Sequence, residues 1–366
     1  MTMDSGIPDS GVAFRLCDAL ADLLAVQQVT IGRSGQVKLV GRLTQPAEKA
    51  YDLAARRLEP LGYTPLFRRE GGDHCVLALP QVLRARPSRA WVNLLLFGLT
   101  LLSVLFIGAG MSWDPRQSPA ANLLGGALFA LPLLTILGAH ELGHYFVGRL
   151  NGVALSLPYF IPLPLPPFGT MGAFIQLKLP PRDRRALLAM AVAGPLAGLA
   201  VGIPLLILGL KLSTVGPLPL PGQGGMLEGN SILYATIKRL LFGRFLPGGG
   251  VDVNLHPVAF AAWAGIFVTG LNLIPAGQLD GGHVAYVLIG ERARYLSLAI
   301  SAALLALGFF VWPGWYLWAA VIFFLGRTFA TPLDAISGLD AKRVALAVAM
   351  LVIWALIFIP IPLVEL

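Results

Sequence analysis

The sequence predicts a polytopic α-helical membrane protein, with about seven transmembrane helices and a re-entrant β-hairpin, preceded by a small soluble α+β domain. Three observations predict it. Of 366 residues, 56% are hydrophobic and only 13% are charged, about half the charged share of a soluble domain. Long runs beyond residue 89 carry no charge at all. The first 89 residues, by contrast, hold 12 of the 27 Lys/Arg and 9 of the 19 Asp/Glu. The expected division is a soluble cytoplasmic domain at 1–89 and a membrane domain at 90–366.

The N-terminal elements follow from local pattern. Met1 to Gly11 contains Asp4 and Asp9 and no apolar run, so no signal peptide is expected there. Ala13 to Val26 reads as a helix. Val37 to Leu43 alternates between Gly35 and Thr44 and reads as a strand. A second helix follows, capped by Thr44 or Gln45, with Pro46 in its first turn and Gly62 at its end. Its apolar positions Ala47, Tyr51, Ala54, Leu58 and Leu61 draw one buried stripe. Tyr63 to Arg69 and His74 to Leu79 flank a Glu-Gly-Gly-Asp turn and read as a hairpin. Cys17 and Cys75 form no C-x-x-C pair, and two thiols make no disulfide framework. No catalytic cluster is visible in this region.

From Ala90 to Met111 the chain is free of charge and long enough to cross about 30 Å of hydrocarbon. By the same test further spans fall at about 119–148, 186–210 and 256–276. Tyr295 to Gly326 is broken at Trp312-Pro-Gly-Trp315 and reads as two short spans, and Val344 to Leu363 is the last. With the N-terminus inside, the inner segments hold thirteen cations: Arg84, Arg86, Arg89, Arg149, Lys178, Arg182, Arg184, Arg185, Arg292, Arg294, Arg327, Lys342 and Arg343. The outer ones hold five, Arg116, Lys211, Lys238, Arg239 and Arg244, so the positive-inside rule favours that orientation. The formal net charge of +8 is thereby assigned to loops, and no nucleic-acid partner is expected. Ser156 to Pro181 carries seven prolines, is apolar, and cannot be a helix. Irregular backbone at membrane depth persists only against protein or water, so a re-entrant loop ending in a strand at Ala173 to Leu179 is expected. Residues 211–255 are rich in Gly and Pro, with a short surface helix at Ser231 to Phe242.

The charge-free run from Arg116 ends in His140-Glu-Leu-Gly-His144. An ionisable residue at such depth is a functional candidate by default. Positions i and i+4 share a helix face, so His140 and His144 can meet one metal ion while Glu141 reaches the metal's water. This is the zinc peptidase arrangement, with the carboxylate as general base. The competing reading is an accidental pattern or a satisfied pair of core histidines. A catalytic zinc needs a third protein ligand. Asp183 and Glu291 lie among arginines, and Glu228 and Asp252 lie in the outer loop. Asp280 follows Asn272-Leu-Ile-Pro275 and precedes Gly281 and Gly282, where a helix breaks at depth; a helix cap is its competing role. His283 reads as a supporting residue.

His140-Glu-Leu-Gly-His144, together with Asn272-Leu-Ile-Pro-Ala-Gly-Gln-Leu-Asp280-Gly281, resembles the site-2 protease family of intramembrane zinc metalloproteases. The resemblance covers roughly residues 90–330. Ala193-Gly-Pro-Leu-Ala-Gly198 is similar to the family's third core helix, and Gly169-Thr-Met-Gly-Ala-Phe-Ile-Gln176 to the membrane hairpin of members without a PDZ domain. The chain most resembles the bacterial and chloroplast subgroup with a soluble N-terminal domain, the ethylene-dependent gravitropism-deficient and yellow-green type.

The resemblance implies a catalytic core at about 119–290, one Zn2+ per chain held by His140, His144 and Asp280, and Glu141 as the catalytic residue. It implies Asn272 near the substrate backbone and substrate pairing along Gly172, Ala173, Phe174, Ile175 and Gln176. Transmembrane proteins in the lipid bilayer are the expected substrates, and a bacterial inner or plasma membrane the expected location. An inactive homologue, a membrane scaffold and a metal transporter are the alternatives. No PDZ or CBS module is visible, and the oligomeric state is not readable.

Overall fold

The computed structural model describes residues 10–85, 87–111, 113–218, 226–326 and 328–365. Asp4 and Asp9 of the leader, and Arg86 and Arg327 of the cation count, lie outside them. The N-terminal region runs α1 (Ser10–Ala19), β1 (Leu24–Ile31), β2 (Val37–Leu43), α2 (Ala47–Leu58), β3 (Thr64–Glu70) and β4 (Asp73–Leu79). The strands form one antiparallel sheet in the order β1-β2-β4-β3. Its core gathers Leu16, Leu20, Leu39, Tyr51, Leu58 and Phe67. The expected helix to Val26 is corrected: it stops at Ala19, and Leu24 to Ile31 pairs with β2 instead. Leu16, Leu20 and Leu23 are all buried, so the helical spacing ran on past the helix, while the β-branched Val26, Val29, Thr30 and Ile31 belong to the sheet. Neither Thr44 nor Gln45 caps α2. Pro46 occupies the cap position without a side-chain bond, and Thr44 Oγ1 donates instead to the Asp22 carbonyl. Gly62 ends the turn with φ 83°, a left-handed conformation that favours glycine.

The second region begins with α3 (Ala90–Met111) and α4 (Pro119–Leu150), followed by the hairpin β5 (Tyr159–Pro162) and β6 (Thr170–Phe174), then α5 (Arg184–Leu212). The short strands β7 (Thr214–Pro217) and β8 (Met226–Glu228), α6 (Ile232–Phe242) and β9 (Val251–Asn254) lead into α7 (Pro257–Asn272). The chain closes with α8 (Asp280–Ile289), α9 (Ala293–Phe310), α10 (Trp315–Leu325), α11 (Ala341–Ile357) and β10 (Leu363–Glu365). Among the described residues, four stretches are long and apolar enough to cross a membrane: Ala90–Met111, Pro119–Leu150, Arg184–Leu212 and Asp280–Phe310. α7, at 16 residues, and α10, at 11, are shorter than the roughly 20 residues a span requires. The break at Trp312–Trp315 falls where the sequence places it, but the preceding helical stretch starts at Asp280 rather than Tyr295. Pro360 and Pro362 lie beyond the end of α11, and β10 pairs with β8.

The expected strand at Ala173 to Leu179 is also shifted. The paired strand is Thr170–Phe174, and beyond it only an isolated bridge joins Leu155 to Leu177. α6 is not a surface helix on all sides, since Tyr234, Ile237 and Lys238 are buried. Asp183 is a helix cap more than an arginine partner: its Oδ1 accepts from Ala186 N at 2.8 Å, while Arg182 stands 4.0 Å away.

The two regions are sewn together by residues 333–335. Phe67 N donates to the Leu333 carbonyl and Ala335 N to the Phe67 carbonyl, extending the sheet at its β3 edge. On the other side Leu333 N and Asp334 N donate to the carbonyls of Pro181 and Arg182, just before α5. Arg182 also meets Asp52 at 2.9 Å, and Arg185 meets Glu48 at 2.7 Å.

Candidate active site

α4 presents His140, Glu141 and His144, all buried, on the side facing α5 and α8. Their approach depends on missing side chains. A Cβ on Gly143 would stand 2.6 Å from the Ala193 carbonyl, and one on Gly194 only 2.1 Å from His144 Nε2. Gly198 lies beside His140, where a Cβ would sit 3.3 Å from Nδ1. The Ala193–Gly198 motif is therefore a groove cut for two imidazoles. α7 ends at Asn272, the chain turns through Pro275, and α8 begins at Asp280. Gly281 and Gly282 let that start lie against the turn: their Cβ atoms would meet the Leu273 carbonyl at 1.9 Å and the Gly277 carbonyl at 2.3 Å.

The result is a triangle. His140 Nε2 and His144 Nε2 lie 3.1 Å apart, and Asp280 Oδ2 is 3.1 Å from the first and 3.2 Å from the second. His144 Nδ1 donates to the Met190 carbonyl at 2.8 Å, which leaves its Nε2 lone pair for the triangle. Three lone pairs converging without protons between them repel unless a cation is shared. The edge of a zinc tetrahedron with bonds of about 2.0–2.1 Å is about 3.3–3.4 Å, close to the spacing found. These three donors fit a metal ion, and among the described residues they are the only such group.

A cavity of about 150 Å³ opens on the triangle, room for several waters. Glu141 lines it, and its Oε2 is buried with no hydrogen-bond partner. A buried carboxylate oxygen left unpaired is costly, and Glu141 carries it at the wall of this cavity. Of the expected substrate residues, Asn272, Ala173, Phe174 and Ile175 line the same cavity. Gln176 lines the adjoining groove, with Tyr159, Phe329 and Ala330. Gly172 lines neither; it has φ 101° and approaches Val268. Met190, Leu177 and Gln278 line the cavity and were not singled out from sequence. Only tertiary packing brings Met190 near the site, whereas the polar Gln278 just before Asp280 was a readable signal. His283 lines both cavities with Nδ1 unpartnered.

Comparison with known proteins bears on the same stretch. The model of peptidase family M50 matches residues 128–312. The chain is 34% identical over 275 residues to "Probable zinc metalloprotease EGY2, chloroplastic" of Arabidopsis thaliana, covering 73% of this chain and 48% of the relative. The protein of the same name from Oryza sativa subsp. indica is 32% identical over 74% of this chain and 50% of its own length. "Probable zinc metalloprotease EGY1, chloroplastic" of Arabidopsis thaliana is 32% identical over 88% of this chain and 63% of its own length. The chain thus spans about half the length of the EGY2 relatives it matches. No solved structure matches it. The matched region takes in just over half of the 366 residues and every donor of the triangle, and on that ground the chain belongs to peptidase family M50.

Proposed function

We propose that the chain is an intramembrane zinc metalloprotease that hydrolyses a peptide bond within or near a transmembrane segment of membrane-protein substrates. The observation that carries this reading is the unpartnered Glu141 carboxylate oxygen, in one cavity with three convergent donors, inside helices of membrane-spanning length. The relatives' names, probable zinc metalloproteases, support the choice of metal. One zinc ion would be held by His140, His144 and Asp280, and it would supply Lewis acidity for activating water and polarising a carbonyl. Glu141 takes one proton from the attacking water. The water oxygen bonds to the scissile carbonyl carbon, and Glu141 returns the proton to the amide nitrogen as the C–N bond breaks. Asn272 holds the substrate backbone or the developing oxyanion from the end of α7.

A substrate helix must first unwind, because its amides are already bonded within it. β6 pairs with β5 along one edge only, and its end and the next residue, Ala173 to Ile175, border the cavity. An extended substrate segment adds to that second edge, with Gly172 and Gln176 at the limits of the pairing. The setting is a lipid bilayer. N-terminus-inside orientation is supported by the thirteen-to-five cation count, and a bacterial plasma membrane by the subgroup resemblance, although the relatives' names print chloroplastic for those proteins.

The test is a purified chain with measured zinc content and a membrane-embedded reporter span. One zinc per chain, cleavage lost on chelation, and cleavage reduced by about 10²–10⁴-fold in Glu141→Gln are expected. A Glu141→Gln protein that keeps its zinc and cuts at the normal rate overturns the mechanism. Metal bound without any cleavage points to the scaffold or transporter reading.

A further inference from the structure

A second cavity, of about 500 Å³, lies toward the other end of the helix bundle. Met111 of α3, Phe129 of α4, Pro166 of the hairpin tip and Phe260 of α7 line it, together with Glu228 and Asp252. Phe129 precedes His140 by eleven residues on α4 (140 − 129), and Phe260 precedes Asn272 by twelve on α7 (272 − 260). At about 1.5 Å per residue, both helices put this cavity about 17 Å from the active site.

Its polar wall is an unbalanced set of charges. Lys238 is fully buried, its Nζ 3.4 Å from Glu228 Oε1 and 3.5 Å from Asp252 Oδ1. Tyr234 donates to Glu228 Oε1 at 2.9 Å, and Val253 N to Asp252 Oδ1 at 2.8 Å. Asp252 Oδ2 has no partner, on a residue only 4% exposed. Two carboxylates thus face one ammonium. Burial pushes the Glu228 carboxyl upward, with Lys238 and Tyr234 pulling it back. A buried carboxylate oxygen without a donor favours an incoming cation.

We propose that this cavity is a specificity pocket for a basic side chain of the substrate, whose ammonium or guanidinium meets the Asp252 carboxylate while its methylenes lie on Phe129 and Phe260. Long basic side chains bury their stems along apolar surface in this way. The hairpin connects the two cavities, since the end of β6 borders the triangle and the tip lines this pocket. A segment paired along β6 is carried from one to the other. Spanning about 17 Å takes about five residues in an extended segment and about eleven in a helix. The inference rests on the protease reading.

The test uses a membrane-spanning peptide carrying a single Lys, moved one residue at a time along each flank, with Gln as the reference. Binding is measured to the zinc-loaded Glu141→Gln chain in lipid nanodiscs, and cleavage by the wild-type chain. Affinity should peak for Lys about five to eleven residues from the cut bond, roughly tenfold above Gln, and the Lys-to-Gln ratio should fall to near one in Asp252→Asn. A flat profile with Asp252 intact overturns the pocket and needs no variant to fold. So does a ratio that survives Asp252→Asn. A peptide that binds with the expected profile but is never cut defeats the protease reading and leaves the pocket standing. A peptide cut equally wherever Lys sits does the reverse.

Discussion

In the proposed mechanism Glu141 and Asp280 divide the chemistry between them, and substitutions should separate their roles. Asp280→Ala removes one of three donors, so zinc affinity should fall by more than the roughly 10–100-fold typical of losing a supporting residue. Titration against a zinc chelator measures it, and unchanged affinity sinks the assignment. Glu141→Gln, by contrast, should leave the metal in place. The groove in α5 offers a sharper test away from the donors. In Gly194→Ala the new methyl would fall 2.1 Å from His144 Nε2, so the imidazole or the helix must move. Zinc binding should then weaken while helical content, read by circular dichroism, stays constant. The donors themselves were legible because three ionisable side chains stood out against apolar sequence. The glycine's purpose was not, since nothing local to Ala193-Gly-Pro says that a histidine 50 residues earlier (194 − 144) will lie against it.

The hairpin is held as an element by its tip. Ser103 Oγ donates to the Gly169 carbonyl at 2.6 Å, and Gly169, at φ 74°, sits where a Cβ would be 2.8 Å from Val104 Cα. Phe168 packs beside Phe260, Trp263 and Phe267, rings that stack along one face of α7. Gly169→Ala should therefore lift the tip from α3 and raise KM for a reporter span more than it lowers kcat. Ser103→Ala, losing a bond worth about 0.5–1.5 kcal/mol, should do less. A Gly169→Ala protein with wild-type KM would show that tip placement is irrelevant to substrate. Prolines marked this loop in the sequence, but the strand's limits were misjudged because apolar residues on both sides of Phe174 obey the same alternation. β1 is hidden from the sequence for a related reason: the spacing of Leu16, Leu20 and Leu23 suits a helix, and only pairing with β2 decides for a strand. The helices α3, α4 and α5, long and apolar enough to span, are readable from length and apolarity alone, whereas the stretch at α7 reads four residues too long at its end (276 − 272) because hydropathy does not see where a helix stops.

Across the whole molecule, the N-terminal sheet and the membrane helices meet through residues 333–335 rather than through exposed ion pairs, which contribute little. Asp334 fixes that segment. It is buried, and its carboxylate accepts from Ile336 N, Ser337 N and Ser337 Oγ. Asp334→Ala should cost about 1.5–3 kcal/mol and expose residues 328–340 to limited proteolysis, while Arg182→Ala changes little. Equal resistance in both variants would place the coupling elsewhere. The same segment continues back to Phe329 and Ala330 in the groove beside the candidate site and to Thr328, which accepts from Gln278. The position of the donors along the chain has its own consequence for the making of the protein. His144 and Asp280 are separated by 136 residues. At a synthesis rate of about 5–20 residues per second, the histidine pair exists for roughly 7–27 s before its aspartate has been made. On the proposed reading a nascent chain lacks its third metal donor, and the donor triangle is completed only once the half of the molecule that carries α8 has followed the first into place.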